Sequence, residues 1–539
     1  MNGFSGTRTG AGAKWAALLG VCLWMGSPAT AQVETIGRTL KDEAVNELAL
    51  WDLGNDGVYE IFLSTVSGRV MCYSALELDL MWDRQLESGA LTAPVLGDFL
   101  GNGAPVLAVA GANGRVTFLW PGTGEPVGQI ELSERFSLAP SVADFRDEGR
   151  QELVLISEKS EIFVVGFESA DSGPRLRLVV PNTIADATAF SVLGRIAFPA
   201  SVADIDGDGR PEVVTVSDTG IIQVVSLVDN PERSFQHLPQ NSRATTLAAV
   251  APMTAGAQAQ VLLGSGSSLQ VFDWTRGNER LRARLSATAY GDSRGQIVVA
   301  DMGESVPRGI VTLSEKIAAV RYVGQVGNGE VLLDFAAGNL ATLTGPLSTP
   351  VLARDARGEV CVVAADGNED VLVWRKDGEP GLPQVAGKAI VPAGAFTPAG
   401  ALRGDGKLSL VSWSAPDFRL SVRTLPLDVA KDSAPMLTLG VNYARDGGWT
   451  QEWAERYSGA QVRAGALLDS LKTSYSAGGD GATSGVVAMM RGIAPEDELA
   501  RSLTPHSGSW FSWGRVALGL VVAAIVGLVV NSRVRQRGL

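Results

Sequence analysis

Histidine is nearly missing from this chain: two occur in 539 residues, His237 and His506. A His-rich zinc or iron site therefore cannot be assembled from one copy. A Ser-His-Asp relay would have to use His237, because His506 lies close to an apolar C-terminal run. Both sit in polar, loop-like surroundings, "SFQHLPQNSR" and "LTPHSGSW", which read as solvated surface. Cysteine is almost as scarce. Of three, Cys22 falls in the N-terminal apolar stretch, leaving Cys72 and Cys361 far apart in "VMCYSA" and "EVCVVAA". Two such residues make no disulfide framework, and each reads as a small buried side chain. Charge is sparse at 19%, and the net charge of −13 lacks the clustered Lys and Arg that phosphate backbones require. Nucleic acid is excluded as a general partner.

Long apolar runs are confined to the two ends. At the start, Arg8 and Lys14 precede "WAALLGVCLWMG", too short to cross a bilayer, and "SPATAQ" offers Ala29-Thr30-Ala31 as an A-x-A cleavage site. Residues 1–31 are thus expected to be a signal peptide, with Gln32 opening the mature chain. Cys22 follows Val21, where a lipoprotein signal carries a small residue. At the other end, "VALGLVVAAIVGLVV" extends a stretch, residues 510–530, close to the ~20 residues a spanning helix needs. Trp510, Phe511 and Trp513 suit one interface, and Arg533, Arg535 and Arg537 a cytoplasmic tail over 531–539. The expected topology is type I, single-pass, with the body outside the cytoplasm at the cell surface or in the periplasm. Gly519, Ala523 and Gly527, four apart, would let two such helices approach and form a homodimer.

What the chain has in quantity is glycine, 63 in all, and a repeat. "LALWDLGNDGVYEIFLSTVSGRVMCYSA", "APVLGDFLGNGAPVLAVAGANGRVTFLW", "APSVADFRDEGRQELVLISEKSEIFVVGF" and "PASVADIDGDGRPEVVTVSDTGIIQVVSL" share one plan. An acidic Gly-rich loop is followed by an apolar run, a polar turn and a second apolar run. Weaker copies begin near Ala249, Ile297, Thr349 and Thr397, giving seven or eight units over 41–428. The apolar runs are short, rich in Val, Ile and Leu, and bounded by Gly, Asp, Asn and Ser, which are strand and turn signals. A unit of roughly 50 residues holds about four strands, the size of a propeller blade, and exceeds the usual rung of a β-solenoid. The expected fold is all-β: a seven- or eight-bladed β-propeller, then a partly helical, membrane-proximal stalk over 431–508. In that stalk Trp453, Tyr457, Val462 and Leu467 are spaced for a helix within "TQEWAERYSGAQVRAGALLDSLKTSYSAG". "GGDGATSG" breaks it, and "APEDELARSL" is a second short helix candidate. This stretch could equally pack on the propeller's bottom face.

"ADIDGDGRPEVV" is the densest chemistry in the chain. Asp204, Asp206 and Asp208 alternate, so three carboxylates can turn toward one point. Gly209 permits the sharp turn, Glu212 adds an oxygen, and Arg210 is expected to give its backbone carbonyl. All-oxygen ligation suits a hard cation such as Ca²⁺ and lacks the N or S ligands zinc prefers. The first half matches an EF-hand loop, but "EVVTVS" after it reads as strand. Asp52, Asn55, Asp56 and Glu60 form a second, weaker set, with Gly54 in place of the middle acid. Asp144, Glu148 and Glu152 form a third in which Arg146 stands where a ligand should be; Asp98 and Asn102 alone are too few.

"DIDGDGRPEVV" after "ASVA", with "GNGAP" in the second unit, resembles the FG-GAP or VCBS repeats of integrin-α-like β-propellers. The resemblance is sharp in the first four units. It implies a propeller whose hairpin loops bind calcium, usually in extracellular adhesion or binding proteins. Protein or glycan partners are therefore expected, on a non-enzymatic binding or scaffold module. Unit tails such as "GRVTFLWPGTGEPVGQIEL" are faintly similar to quinoprotein repeats, which keeps an exported propeller enzyme, quinoprotein-like or polysaccharide-active, as the alternative. Arg403-Gly404-Asp405 is an Arg-Gly-Asp tripeptide, but Gly404-Asp405-Gly406 falls where Gly207-Asp208-Gly209 falls, which favours a repeat loop over an adhesion signal.

Overall fold

The computed structural model describes residues 34–40, 43–168, 175–180, 194–227, 233–237, 243–252, 258–266, 268–275, 280–288, 293–301, 309–314, 318–326, 329–334, 351–365, 370–375, 384–388, 399–414, 417–431, 433–437 and 440–476. The signal-peptide, second-helix, spanning-segment and tail expectations, with His506, Gly519, Ala523 and Gly527, lie outside these residues. Among the described residues no helix is long and apolar enough to cross a membrane. The chain divides into two units, 1–470 and 471–539.

Each sequence repeat becomes one antiparallel sheet, and the described residues form eight. Sheet 4 is representative: Ser201–Ala203, Glu212–Val216, Ile221–Val225 and Arg233–His237, each paired with the next. The innermost strands of sheets 1 to 8 are Val45–Trp51, Val95–Gly97, Ser141–Ala143, Ser201–Ala203, Ala249–Ala251, Ser293–Ala300, Val351–Arg354 and Ala399–Gly400. Second strands such as Val106–Ala110 and Glu152–Ile156 are buried along their whole length. They are apolar on both faces because a neighbouring sheet covers each face. Outer strands such as Leu80–Gln85 are largely exposed.

The cores lie between sheets. One buried cluster joins sheets 1, 2, 3 and 8, another sheets 3 and 4, a third sheets 4 and 5, a fourth sheets 5 and 6, and a fifth sheets 6, 7 and 8. Phe99, Phe118 and Phe167 form an edge-to-face chain across sheets 2 and 3, with centroids 5.1 Å apart at each step. The ring closes twice over. Tyr59 N donates to Leu402 O at 2.9 Å, tying sheet 1 to sheet 8. The outermost strand of sheet 8 is Glu34–Thr39, from the chain's beginning, paired with Arg419–Asp428 from the end of the repeats. Closing a ring with strands from both ends removes the slip between first and last sheet that a purely sequential array would allow. This strand precedes the first repeat and carries none of its pattern. Cys72 and Cys361, on sheets 1 and 7, are both buried.

After the last repeat the chain turns into the ring's axis. Residues 440–449 run along the inner strands and accept one backbone hydrogen bond from each of four consecutive sheets. Val142 N donates to Tyr443 O, Val202 N to Ala444 O, Val250 N to Asp446 O and Val299 N to Gly447 O, at 2.5–2.9 Å. Gly448–Trp449 then pairs in parallel with Val299 and Ala300. Side chains reach further sheets. Tyr443 Oη donates to Leu50 O at 2.5 Å, Arg445 Nε to Pro140 O at 2.8 Å, and Arg445 Nη1 lies 3.2 Å from Glu47 Oε1. Trp449 Nε1 donates to Ala434 O at 3.0 Å, and the Arg354 guanidinium lies over its ring.

A helix, Gln451–Ser476, follows directly. Asp301 accepts from Gln451 N and so caps its start. Trp453, Tyr457, Gln461 and Ala464 form its inner face. Tyr457 packs edge-on against Trp51, and its hydroxyl lies 3.3 Å from that of Tyr59. Val462, expected on the apolar face, is 64% exposed, and Gln461 is buried instead, donating to Tyr457 Oη. Residues 433–437 and 440–470 thus fall in the same compact unit as the sheets.

Candidate metal centre

The acidic loops sit where an inner strand turns into the second strand. In sheet 4 the register Ser201↔Val214, Val202↔Val213, Ala203↔Glu212 leaves residues 204–211 as the connection. A carboxylate at the loop's first position organises it. Asp204 Oδ1 accepts from Gly207 N at 2.7 Å and Oδ2 from Gly209 N at 2.9 Å. Asp206 Oδ1 accepts from Asp208 N and Asp208 Oδ1 from Arg210 N. Gly207 and Gly209 have φ of +78° and +91°, which L side chains rarely adopt. The folded loop brings one oxygen from each of Asp204, Asp206 and Asp208 within 4.8 Å of one another, the only such acidic group among the described residues.

Glu212 is placed differently. It is buried, and its Oε2 accepts from Ile205 N at 2.9 Å. Burial, then repulsion from Asp206, Asp204 and Asp208, pushes its pKa up to about 8. It lies beside the trio and outside it. Arg210 contributes its N–H to Asp208.

The other loops repeat the scaffold without the trio. Asp52 accepts from Asp56 N and Gly57 N, Asp98 from Asn102 N and Gly103 N, and Asp144 from Glu148 N and Gly149 N, all at 2.8–3.1 Å. Glu60 and Glu152 repeat the Glu212 contact, accepting from Leu53 N and Phe145 N. Burial raises the pKa of Asp52, Glu60 and Glu152 as well. In the first loop Asp56 spends one oxygen on Val58 N, and Asn55 packs against Gly465 of the helix. In the third, Arg146 Nε donates to Glu152 Oε1 at 2.6 Å, and Arg146 and Arg150 both pair with Glu148. At the second, burial raises the Asp98 pKa, the backbone N–H groups of Gly103, Asn102 and Gly101 oppose the rise, and Arg463 of the helix, packed on Gly103, adds a smaller opposing charge. Loops 2 and 3 therefore already have protein cations beside their acids. The fourth carries three convergent carboxylates, and a hard cation fits that donor set.

The Arg-Gly-Asp tripeptide occupies the equivalent loop of sheet 8. Arg403 is drawn to Glu34 and Thr424, Gly404 packs on Gly57, and Asp405 Oδ1 accepts from Lys407 N. His237 lies on the outer strand of sheet 4. The axial segment 440–449 was missed by the sequence reading; its one signal is a Gly-rich, aromatic stretch, "LGVNYARDGGW", with no partner in the repeat.

The fold places the chain among the β-propellers. No protein-family model matches the chain, and no curated protein matches it. Among solved structures it is similar to Sqt1 of Saccharomyces cerevisiae, with TM-score 0.51 and 11% identity over 74% of this chain and 99% of that one. BamB from Moraxella catarrhalis gives TM-score 0.43 and 15% identity over 73% and 98%. The WD40 domain of SCAP from fission yeast gives 0.42 and 12% over 72% and 98%. At such identities the likeness concerns the fold alone.

Proposed function

We propose that the chain is an exported, membrane-anchored, eight-bladed β-propeller of FG-GAP/VCBS type. It acts as a non-catalytic binding or scaffold module for a protein or glycan partner. The observation that carries this reading is the filled axis. Residues 440–449 and the buried side chains of Tyr443, Arg445 and Trp449 occupy the place where a ring of sheets would otherwise offer a concave site. That leaves the broad faces built from loops as binding surface. The apolar ends read over 1–31 and 510–530 support export and anchoring. Cross-linking of the full-length protein in intact cells, followed by mass spectrometry, should recover one partner attached to face loops, and the purified protein should carry no chromophore. A near-ultraviolet or visible band from a bound quinone would reassign it as an enzyme.

The fourth loop is, in this reading, a calcium staple. Asp204, Asp206 and Asp208 would hold the ion, which would also offset the repulsion acting on Glu212. Asp52, Asn55, Asp56 and Glu60 would take calcium more weakly. A ligand that binds the folded state alone stabilises it by about 2.7 kcal/mol at a hundredfold excess over Kd. Calcium should therefore raise the melting temperature, EDTA should reverse this, and Asp206→Ala should remove most of the response while the ring stays folded. Identical melting of wild type with and without calcium would end the staple reading.

A further inference from the structure

Given the calcium reading above, we propose that Gln258 of sheet 5 is a positioning residue for the cation site of the fourth loop, so that calcium at that site and the docking of sheet 5 on sheet 4 strengthen each other. Ile205 stands between Asp204 and Asp206 and sets where both carboxylates start. It is held from three directions. Its side chain is fully buried in the apolar cluster between sheets 4 and 5, with Val250, Val261 and Leu263 of sheet 5. Its N–H donates to Glu212 Oε2 at 2.9 Å, within sheet 4. Its carbonyl oxygen accepts from Gln258 Nε2 at 2.7 Å. Gln258 stands just before Gln260–Ser265, the second strand of sheet 5. Two of the three holds on Ile205 therefore come from the neighbouring sheet. Sheet 3 reaches back to the second loop in a similar way: Gln151 Oε1 accepts from Asp98 N at 2.7 Å, and Gln151 N donates to Asp98 O at 2.9 Å. The second loop has Asp98 as its one acid, so that arm shapes no carboxylate trio. The Gln258 side chain is neutral, and it fixes the fourth loop without setting a cation beside the carboxylates, as Arg146 does in the third. Three like charges repel one another. A backbone pinned from two sheets keeps them converged before the ion arrives, and preorganisation of this kind raises affinity. Coupling is reciprocal, so the bound ion in turn holds sheet 5 against sheet 4.

Isothermal titration calorimetry of Ca²⁺ into the full-length protein, well below its melting temperature, tests this. Wild type should bind at the fourth loop, and Asp206→Ala should remove most of that binding. Gln258→Met keeps the side chain's length and removes its donor. It should weaken calcium binding by roughly 3- to 10-fold, the worth of one hydrogen bond. Gln151→Met removes the matching contact to the second loop and should leave calcium affinity unchanged, whereas a general loss of stability would act through both variants alike. A second readout needs no variant. In wild type, calcium should slow amide hydrogen exchange at Val261 and Leu263 of sheet 5 more than at Leu107 and Val109 of sheet 2. Gln258→Met binding calcium within about twofold of wild type, or Gln151→Met weakening it equally, would overturn the proposal. So would equal protection of the two sheets. Absence of calcium binding in wild type would end the calcium reading and this coupling with it. Binding that Asp206→Ala removes and Gln258→Met leaves intact would end the coupling alone.

Discussion

Replacing Arg445 by Ala should lower the melting temperature on the order of 10 °C. Arg445 is fully buried, donates from Nε to Pro140 O and pairs through Nη1 with Glu47, whose side chain is 13% exposed. Truncation leaves the Glu47 carboxylate without its cation in a confined site, and breaking a buried pair from one side costs about 3–5 kcal/mol. In large domains each kcal/mol moves the melting temperature by only a few degrees. Arg445→Lys should fall between, because a single ammonium cannot reproduce the planar fork that reaches Pro140 and Glu47 together. Adding Glu47→Gln to Arg445→Met should recover part of the loss, since both charges are then gone. Thermal melts of the wild type and the four variants decide it. An Arg445→Ala protein melting within a degree of wild type would show that the pair carries none of this energy.

The second large effect lies in the buried glutamates at the start of the second strands. Glu152 accepts from Phe145 N with one oxygen and from Arg146 Nε with the other, and it is fully buried. Glu152→Ala leaves both donors without an acceptor and should cost about 3–5 kcal/mol. Glu212 makes the same backbone contact to Ile205 N without an arginine, and its pKa of about 8 leaves it mostly protonated at neutral pH. Glu212→Gln keeps an acceptor for Ile205 N and should be close to neutral for stability in calcium-free buffer. It should also keep most of the calcium response, because the three aspartates converge without it. A calcium response lost in Glu212→Gln and retained in Asp206→Ala would reverse these roles.

The four-strand unit, its order along the chain and the helix after it were legible because they rest on local pattern. Runs such as "VLAVA" and "EVVTVS" announce strands, and Gly with Asp or Asn announces the turns. Sheet 5 forms although its repeat has no acid between its first two strands, which shows that the apolar runs specify a sheet and the acids decorate it. The convergence of Asp204, Asp206 and Asp208 was legible for the same reason: alternate residues in a tight loop meet over a few bonds.

Glu212 illustrates the limit. Spacing alone puts its carboxylate near the aspartates, but whether it faces them or Ile205 N depends on the packing of sheet 4 against its neighbours. Arg463, which places positive charge beside the second loop, is likewise invisible as a loop partner until the helix is in place, whereas Arg146 shows itself by its position within the third loop. By itself the sequence determined the repeat, the strands within each unit and an acidic loop with three converging carboxylates, all set by residues near each other in the chain. Tertiary structure alone decided the closure of sheet 8 by Glu34–Thr39 and the course of residues 440–449 along the axis. Those contacts join residues hundreds of positions apart through backbone groups, and backbone groups leave no mark in the order of side chains.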